Sequence, residues 1–188
     1  MDSGPETLLI ATHNPGKLRE YRELLTGASF PLVSLDDVGI EEDIEETGVT
    51  FEENARLKAL AYAQQTGLLT LADDSGLEVE ALGGEPGILS KRYAGEGAGD
   101  MERIVFLLGK LRTVPEGKRA ARFRCAIVIA DAQGNTWTSE GTCEGKIAFA
   151  PRGTNGFGYD PVFLMRDDNY AHTLAELSES EKNRLSHR

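Results

Sequence analysis

Cysteine is scarce in this sequence, long apolar runs are missing, and basic charge is in deficit. The two cysteines, Cys125 and Cys143, lie far apart. Such a pair makes neither a disulfide framework nor a zinc pattern, and both read as small core positions. No apolar run approaches the ~20 residues that a bilayer-spanning helix needs, so no membrane partner is expected. The opening MDSGPET has neither a basic n-region nor an apolar h-region. A secretion signal is therefore not expected, and a cytoplasmic location follows by default. Twenty Lys and Arg face 31 Asp and Glu, a net charge of −11. That balance opposes non-specific binding to nucleic acid, which rewards basic surfaces. It does not oppose a small phosphorylated substrate, provided a local basic cluster and a metal offset the acidic field. The chain shows no linker, low-complexity tract or internal repeat.

What is present suits 188 residues folded as one domain or as two intimately joined lobes. Leu8 to Ala11 reads as a buried strand. Thr12-His13-Asn14-Pro15-Gly16-Lys17 then leads into a helix with Leu18, Tyr21, Leu24 and Leu25 at helical spacing. Asn14 suits the N-cap and Pro15 the first helical position. Pro31 to Leu35 is a second short strand. Thr50 and Glu53 form a capping box for a helix to about Gln65, with Gly67 as its stop. Leu68 to Ala72 is a strand that ends at Asp73-Asp74-Ser75-Gly76, and LEVEAL after it is another. Asp100 is expected to cap a helix over 101–111. Arg122 to Ala130 reads as a long strand. A hairpin across 131–135 leads to strands over 136–142 and 146–149. Strands alternate with helices and also run in a meander, which predicts an α/β protein with a mixed sheet.

Four segments carry candidate chemistry. The first is the Asp73-Asp74 pair at the end of an apolar strand, where two anions cost free energy unless a cation or donors compensate them. Ligands bind at the carboxyl ends of strands in open α/β sheets, and Mg²⁺ takes one or two carboxylates plus substrate phosphates. The alternative is a plain turn, which Asp, Ser and Gly also favour. Neighbouring strand residues point to opposite faces, so Asp73 and Asp74 are not both expected at one metal. A second carboxylate could come from Glu45 or Glu46, or that acidic stretch is simply solvated. Asn54 and Lys58, one helical turn apart, either order this loop or face the site. The second segment is THNPGK, where exposed N–H groups at a helix start and Lys17 make a phosphate cradle, or only a strand-to-helix turn. The third, PRGTNGFGYDP over 151–161, has a constrained backbone with aromatics that could stack on a base or fill the core. The fourth is the C-terminal helix capped by Ser178 and Glu181, which carries Lys182, Ser186, His187 and Arg188. It offers donors for a phosphate or a purine edge, or complements its own dipole.

Taken in order, THNPGK, ETGVTFEENARLKA, ADDSGLEVEALGGEPG with RYAG, RGTNGFGYDPVF and AELSESEKNRLSHR resemble the inosine triphosphate pyrophosphatase family, in its bacterial form, over residues 8 to 188. The resemblance implies one domain over 1–188 with an elongated mixed β-sheet flanked by helices, two lobes and a central cleft. It implies Mg²⁺-dependent hydrolysis of ITP, dITP and XTP to the monophosphate and pyrophosphate, by a homodimer. Position by position, it assigns Thr12, His13, Asn14, Pro15, Gly16 and Lys17 to the phosphates, with Lys17 the main cation. Asp74 becomes proton acceptor and metal-associated carboxylate, and Glu45 the second metal-associated carboxylate. Ser75 contacts substrate. Phe157, Gly158, Tyr159 and Asp160 belong to the nucleotide pocket, which Lys182, His187 and Arg188 complete. Family chains usually continue beyond the matching Ser-His-Arg, where this sequence stops at Arg188.

A phosphoryl displacement needs a positioned water, charge neutralisation and alignment. Lys17 and the metal would neutralise charge while Asp74 orients or deprotonates the water. Arginine donors favour a 6-oxo purine, as they do at the O6 and N7 of guanine. Two other readings share the scaffold: a nucleotide-binding module without turnover, and a pyrophosphatase for modified pyrimidine nucleotides.

Overall fold

The computed structural model describes residues 7–188; residues 1–6, on which the reading of a missing secretion signal rests, lie outside the described residues. The strands are β1 (Leu8–Ile10), β2 (Leu32–Ser34), β3 (Leu69–Val79), β4 (Ala120–Ala130), β5 (Thr136–Ile147) and β6 (Phe163–Met165). The helices are α1 (Pro15–Leu24), α2 (Phe51–Thr66), α3 (Asp100–Lys110) and α4 (Glu179–Leu185). The strands form one sheet in the order β2-β1-β3-β4-β5-β6. β1 runs parallel to β2 and β3, and β5 antiparallel to β6. The expected mixed sheet with flanking helices is the one observed.

Contacts divide the chain into two units: residues up to Asp74 with Ala126–Glu140, and Ser75–Cys125 with Gly141–Arg188. In the first, Leu8, Ile10, Tyr21 and Leu71 make a core with Leu18, Leu25, Leu69, Ile127 and Ile129 against it. Asn14 caps α1 as expected, its Oδ1 accepting from the N–H groups of Gly16 (2.9 Å) and Lys17 (3.1 Å). Thr50 and Glu53 close their capping box on α2, and Gly67 ends that helix in the left-handed region. Phe51, Ala55, Ala59, Tyr62 and Ala63 form its buried stripe. In the second unit, Ile104, Leu107 and Leu111 of the α3 segment pack with Leu77, Val79, Phe123, Tyr159, Val162 and Phe163.

Four elements differ from expectation. β3 does not end at Asp73 but runs unbroken through Asp73-Asp74-Ser75-Gly76 to Val79. Neither the turn nor the strand end is present there, because tertiary pairing overrides the local preference of turn-forming residues. The neighbouring strand is the one that stops: β1 pairs with β3 only as far as Leu71, with a further bond from Ala11 N to Leu71 O at 2.8 Å. The carboxylates thus follow the carboxyl end of β1 rather than that of β3. Asp100 does not cap α3. Gly99 occupies the cap and its N–H donates to Glu102 (2.7 Å), leaving Asp100 as the first helical residue. The two strands expected over 136–149 are one continuous β5, and β6 was not legible as a strand of three residues.

Candidate active site

In the first unit, α1, the acidic loop, α2 and β3 bring charged groups together around Asp73 and Asp74. Both acids are buried, at 1% and 6% exposure. Lys17 Nζ lies 2.9 Å from Asp73 Oδ2. Lys58 Nζ donates to the Asp73 carbonyl (2.6 Å) and to Glu46 Oε1 (2.7 Å). Asn54 Nδ2 donates to Asp74 Oδ2 (3.1 Å), while its Oδ1 accepts from Gly48 N (2.8 Å). Asn54 therefore both orders the loop and faces the site. Gly48 is required at that approach, since a Cβ there would sit 2.7 Å from Asn54 Oδ1. Tyr62 holds the acidic loop as well, its hydroxyl donating to Glu42 O (2.9 Å) and accepting from Ile44 N (3.3 Å).

The electrostatics follow from burial and neighbours. Burial pushes the Asp74 carboxyl above its ordinary value; Glu46 adds to the rise, and Lys58, Lys17 and the Asn54 bond oppose it. Burial works against the Lys58 ammonium, but Asp73, Glu46 and Asp74 outweigh it and hold the group above its usual range. The acid that acts here is Glu46. Glu45 is exposed and bonds to no described residue, so the side chain expected at the metal faces solvent while its neighbour turns inward. Among the described residues no cluster of three or more His, Cys, Asp or Glu side chains makes a metal cage. Glu46, which acts on Asp74, and Asp74 itself would offer Mg²⁺ two carboxylates, the donor type and number that suit it beside substrate phosphates.

The THNPGK segment lies in the same unit. Its N–H groups are not bare: Gly16 and Lys17 donate to Asn14 and Asn14 donates to Thr12 Oγ1 (3.1 Å). Side chains within the loop satisfy these donors first, as Asn and Thr do at helix starts. Pro15 is exposed, and half-buried His13 sits 3.8 Å from Asp43 and 4.0 Å from Asp36.

In the second unit, the 152–161 segment, α4 and the residues after it form another group. Asp160 is buried and its Oδ2 accepts from Lys182 Nζ (2.5 Å) and Phe157 N (2.9 Å). It organises this group through bonds within the protein. Lys182 and Arg188 lie over the Phe157 ring, 4.6 and 5.6 Å from its centroid. Gly158 N donates to Asp100 Oδ2 (2.7 Å). Tyr159 fills the core, with its hydroxyl on Ser90 O (3.0 Å), and burial pushes that phenol up. Arg188 donates to Ser75 Oγ (3.1 Å), and His187 is buried beside it.

The structure thus gathers Thr12 to Lys17 and Asp74 in one unit, and Ser75, Phe157, Gly158, Asp160, Lys182, His187 and Arg188 in the other. Sequence reasoning missed the anchoring of Lys17 by Asp73 and the support of Gly158 by Asp100. Neither has a local signal, because each pair is distant in sequence. Lys58 had one, its helical spacing from Asn54.

A model of the Ham1 family matches residues 8–188. The dITP/XTP pyrophosphatase of Bacillus licheniformis is 51% identical over 181 residues, covering 96% of this chain and 91% of that protein. That of Bacillus subtilis is 48% identical over 180 residues, with 96% and 90% covered. Among solved structures, a HAM1 protein from Coxiella burnetii has a TM-score of 0.86 at 43% identity, covering 96% of this chain and 91% of that one. The Ham1 protein of Staphylococcus aureus has a TM-score of 0.84 at 41% identity, covering 97% and 92%. A match of this extent takes in both units and every segment described above, and the chain belongs to the Ham1 family.

Proposed function

We propose that this chain hydrolyses non-standard purine nucleoside triphosphates, dITP, ITP and XTP, to the monophosphate and pyrophosphate in a Mg²⁺-dependent reaction. The observation that carries the reading is Asp74, a buried carboxylate with Lys17 and Lys58 acting on it. The relatives named dITP/XTP pyrophosphatases supply the substrate class. Glu46 and Asp74 would hold the metal, Glu46 replacing Glu45 in that role. Bound there with the triphosphate, Mg²⁺ supplies charge neutralisation.

The chain's own residues do the rest. Lys17 and Lys58 neutralise phosphate oxygens. Asp74 orients the water and takes its proton, and a raised carboxyl is the better acceptor for that task. Asn54 holds the Asp74 carboxylate in place. In the second unit the Phe157 ring, flanked by Lys182 and Arg188, offers a face for a base. The Arg188 guanidinium offers donors to a 6-oxo group, where the 6-amino group of adenine would leave donors facing donors. Homodimeric assembly belongs to the same proposal and rests on the family likeness; a cytoplasmic location belongs to it as the default reading of the sequence. Sedimentation velocity tests the assembly.

The deciding experiment is a panel of ITP, dITP, XTP, GTP, ATP and a modified uridine triphosphate, with Mg²⁺ and with chelator, reading pyrophosphate and monophosphate. Turnover of the 6-oxo purines above ATP, lost with chelator, is expected. Release of orthophosphate, or preference for the pyrimidine, would refute the proposal.

A further inference from the structure

Gly141 on β5 has an ordinary backbone conformation, yet a Cβ built there would overlap the carbonyl oxygen of His187. The β5 backbone therefore abuts the residue that precedes Arg188, and only glycine leaves room. Phe123 of β4 stacks on the His187 imidazole, with centroids 4.8 Å apart and planes within 10°. Phe123 is itself fixed against Phe163, at 4.7 Å, within the core of this unit. His187 is thus gripped at its backbone and at its ring face by two residues that the proposed reaction does not use.

The consequence passes to Arg188. One guanidinium nitrogen of Arg188 lies 3.3 Å from His187 Nε2 and 3.1 Å from Ser75 Oγ. Guanidinium nitrogens only donate, so Nε2 is the acceptor in this contact. An imidazole torsion is broad and two-fold when left alone. A face-to-face stack leaves it one plane, and that plane aims the acceptor that holds the arginine fork. Planar recognition by arginine depends on that orientation.

We propose that Phe123 and Gly141 are specificity-determining positioning residues: they seat His187, and through it Arg188, so that the guanidinium reads the 6-oxo edge of the purine. This rests on the proposed function and adds the residues that set its base selectivity.

The test uses the full chain as Gly141→Ala, Phe123→Leu and Phe123→Tyr. For each, kcat/KM is measured with ITP and with ATP, alongside a thermal melt. The ITP-to-ATP ratio is expected to fall by about ten- to a hundredfold in the first two variants, chiefly through ITP. Phe123→Tyr, which keeps the ring face, should hold the ratio within about threefold of wild type. General structural damage would instead lower both substrates in proportion and leave the ratio alone. That result, or a wild-type ratio in folded Gly141→Ala and Phe123→Leu, overturns the proposal.

A second readout needs no substrate. The chain has three histidines, so the ring protons of His187 can be assigned by NMR. They should be shifted upfield by the Phe123 ring and lose that shift in Phe123→Leu. An unchanged His187 signal in that variant also overturns the seating. If wild type itself does not prefer ITP over ATP, the functional reading fails, and the NMR arm still decides whether the seat exists.

Discussion

Lys17 reaches from the first turn of α1 to place its ammonium 2.9 Å from the carboxylate of Asp73, and the carbonyl of the same Asp73 accepts the Lys58 ammonium at 2.6 Å. One buried residue thus stations two cations beside Asp74. Removing Lys17 would take from Asp73 the ammonium 2.9 Å away, in a position of 1% exposure. Lys17→Met is expected to cost about 3–5 kcal/mol of stability, the usual result of breaking a buried pair from one side. The double variant Lys17→Met/Asp73→Asn should recover part of that stability, because the buried carboxylate that Lys17 offset is gone, yet stay as poor in turnover as the single. Urea unfolding beside pyrophosphate release separates the two effects. Recovery of activity in the double variant would show that Lys17 serves only to neutralise Asp73.

Asp74→Asn should lose activity and gain stability together. Turnover falls by about 10²–10⁴-fold if the carboxylate accepts the proton of the attacking water. Stability moves the other way. Burial, with the charge of Glu46, raises the Asp74 carboxyl in the folded state above its ordinary value of 3.8. The native state then binds more protons than the unfolded one between those two values, so stability falls as pH rises through that window. At neutral pH the ionised carboxylate is therefore a cost to the metal-free fold, and the amide removes it. Melting curves should place the variant above wild type at neutral pH, with the gap closing as pH falls toward 3.8.

Glu46 and Glu45 make a paired test of the metal assignment. Glu46 bonds Lys58 and acts on Asp74, whereas Glu45 is exposed and bonds no described residue. Glu46→Gln should raise the Mg²⁺ concentration for half-maximal rate by about tenfold, as loss of one oxygen ligand at a two-carboxylate site would. Glu45→Gln should leave it unchanged. A Mg²⁺ titration of activity checks both, and the reverse pattern would return the role to Glu45.

Local chemistry made much of this molecule legible in its sequence. Asn14 before Pro15, Thr50 with Glu53 and Ser178 with Glu181 each name a helix start, and all three caps form. Such motifs depend on residues two or three apart, which is the range sequence reveals directly. The Asp73-Asp74 strand misled for the opposite reason. Residues 70 to 74 of β3 are all buried, so there is no alternation to mark a strand that continues, and turn-forming residues appear to end it. The acidic pair was open in the sequence. Glu45 and Glu46 are chemically identical, and the ion pair of Glu46 with Lys58 is what distinguishes them in the structure. Tyr159 was weighed as base contact or core; it is core, while Phe157 in the same loop stays half-buried under Lys182.

The cysteines offer a check on packing that is independent of function. Cys125 and Cys143 are both buried, and among the described residues neither forms a disulfide. Burial, with nearby Asp167, Glu144 and Asp160, pushes the Cys143 thiol up to about 11. At pH 8 about one molecule in a thousand would carry the thiolate, the form that reacts. Native protein should therefore resist iodoacetamide at pH 8, and both thiols should label once guanidinium unfolds the chain. Mass spectrometry of the labelled protein reads the count. Rapid native labelling at Cys143 would contradict the packing of β5 against this core.

Arg119 shows how the second unit is stapled. Its side chain is 2% exposed and no carboxylate among the described residues bonds it. Four backbone carbonyls take its donors instead: Ile147 (2.8 Å) and Ala148 (3.0 Å) at the end of β5, and Leu111 (2.9 Å) and Val114 (3.3 Å) just after α3. The guanidinium also lies 4.3 Å from the centroid of the Phe149 ring. Burial lowers its pKa, but the fork of donors matches acceptors that would otherwise be unsatisfied. Lysine carries the same charge from a single point and cannot reach both sets. Arg119→Lys should therefore cost about 2–4 kcal/mol, since at least two buried carbonyls lose a donor. Phe149→Ala removes only the exposed cation–π face and should cost about 0.5–1 kcal/mol. Denaturant unfolding of the two variants measures the contrast. Equal and small losses would mean that the carbonyls find other donors and that Arg119 is not what joins the end of α3 to β5.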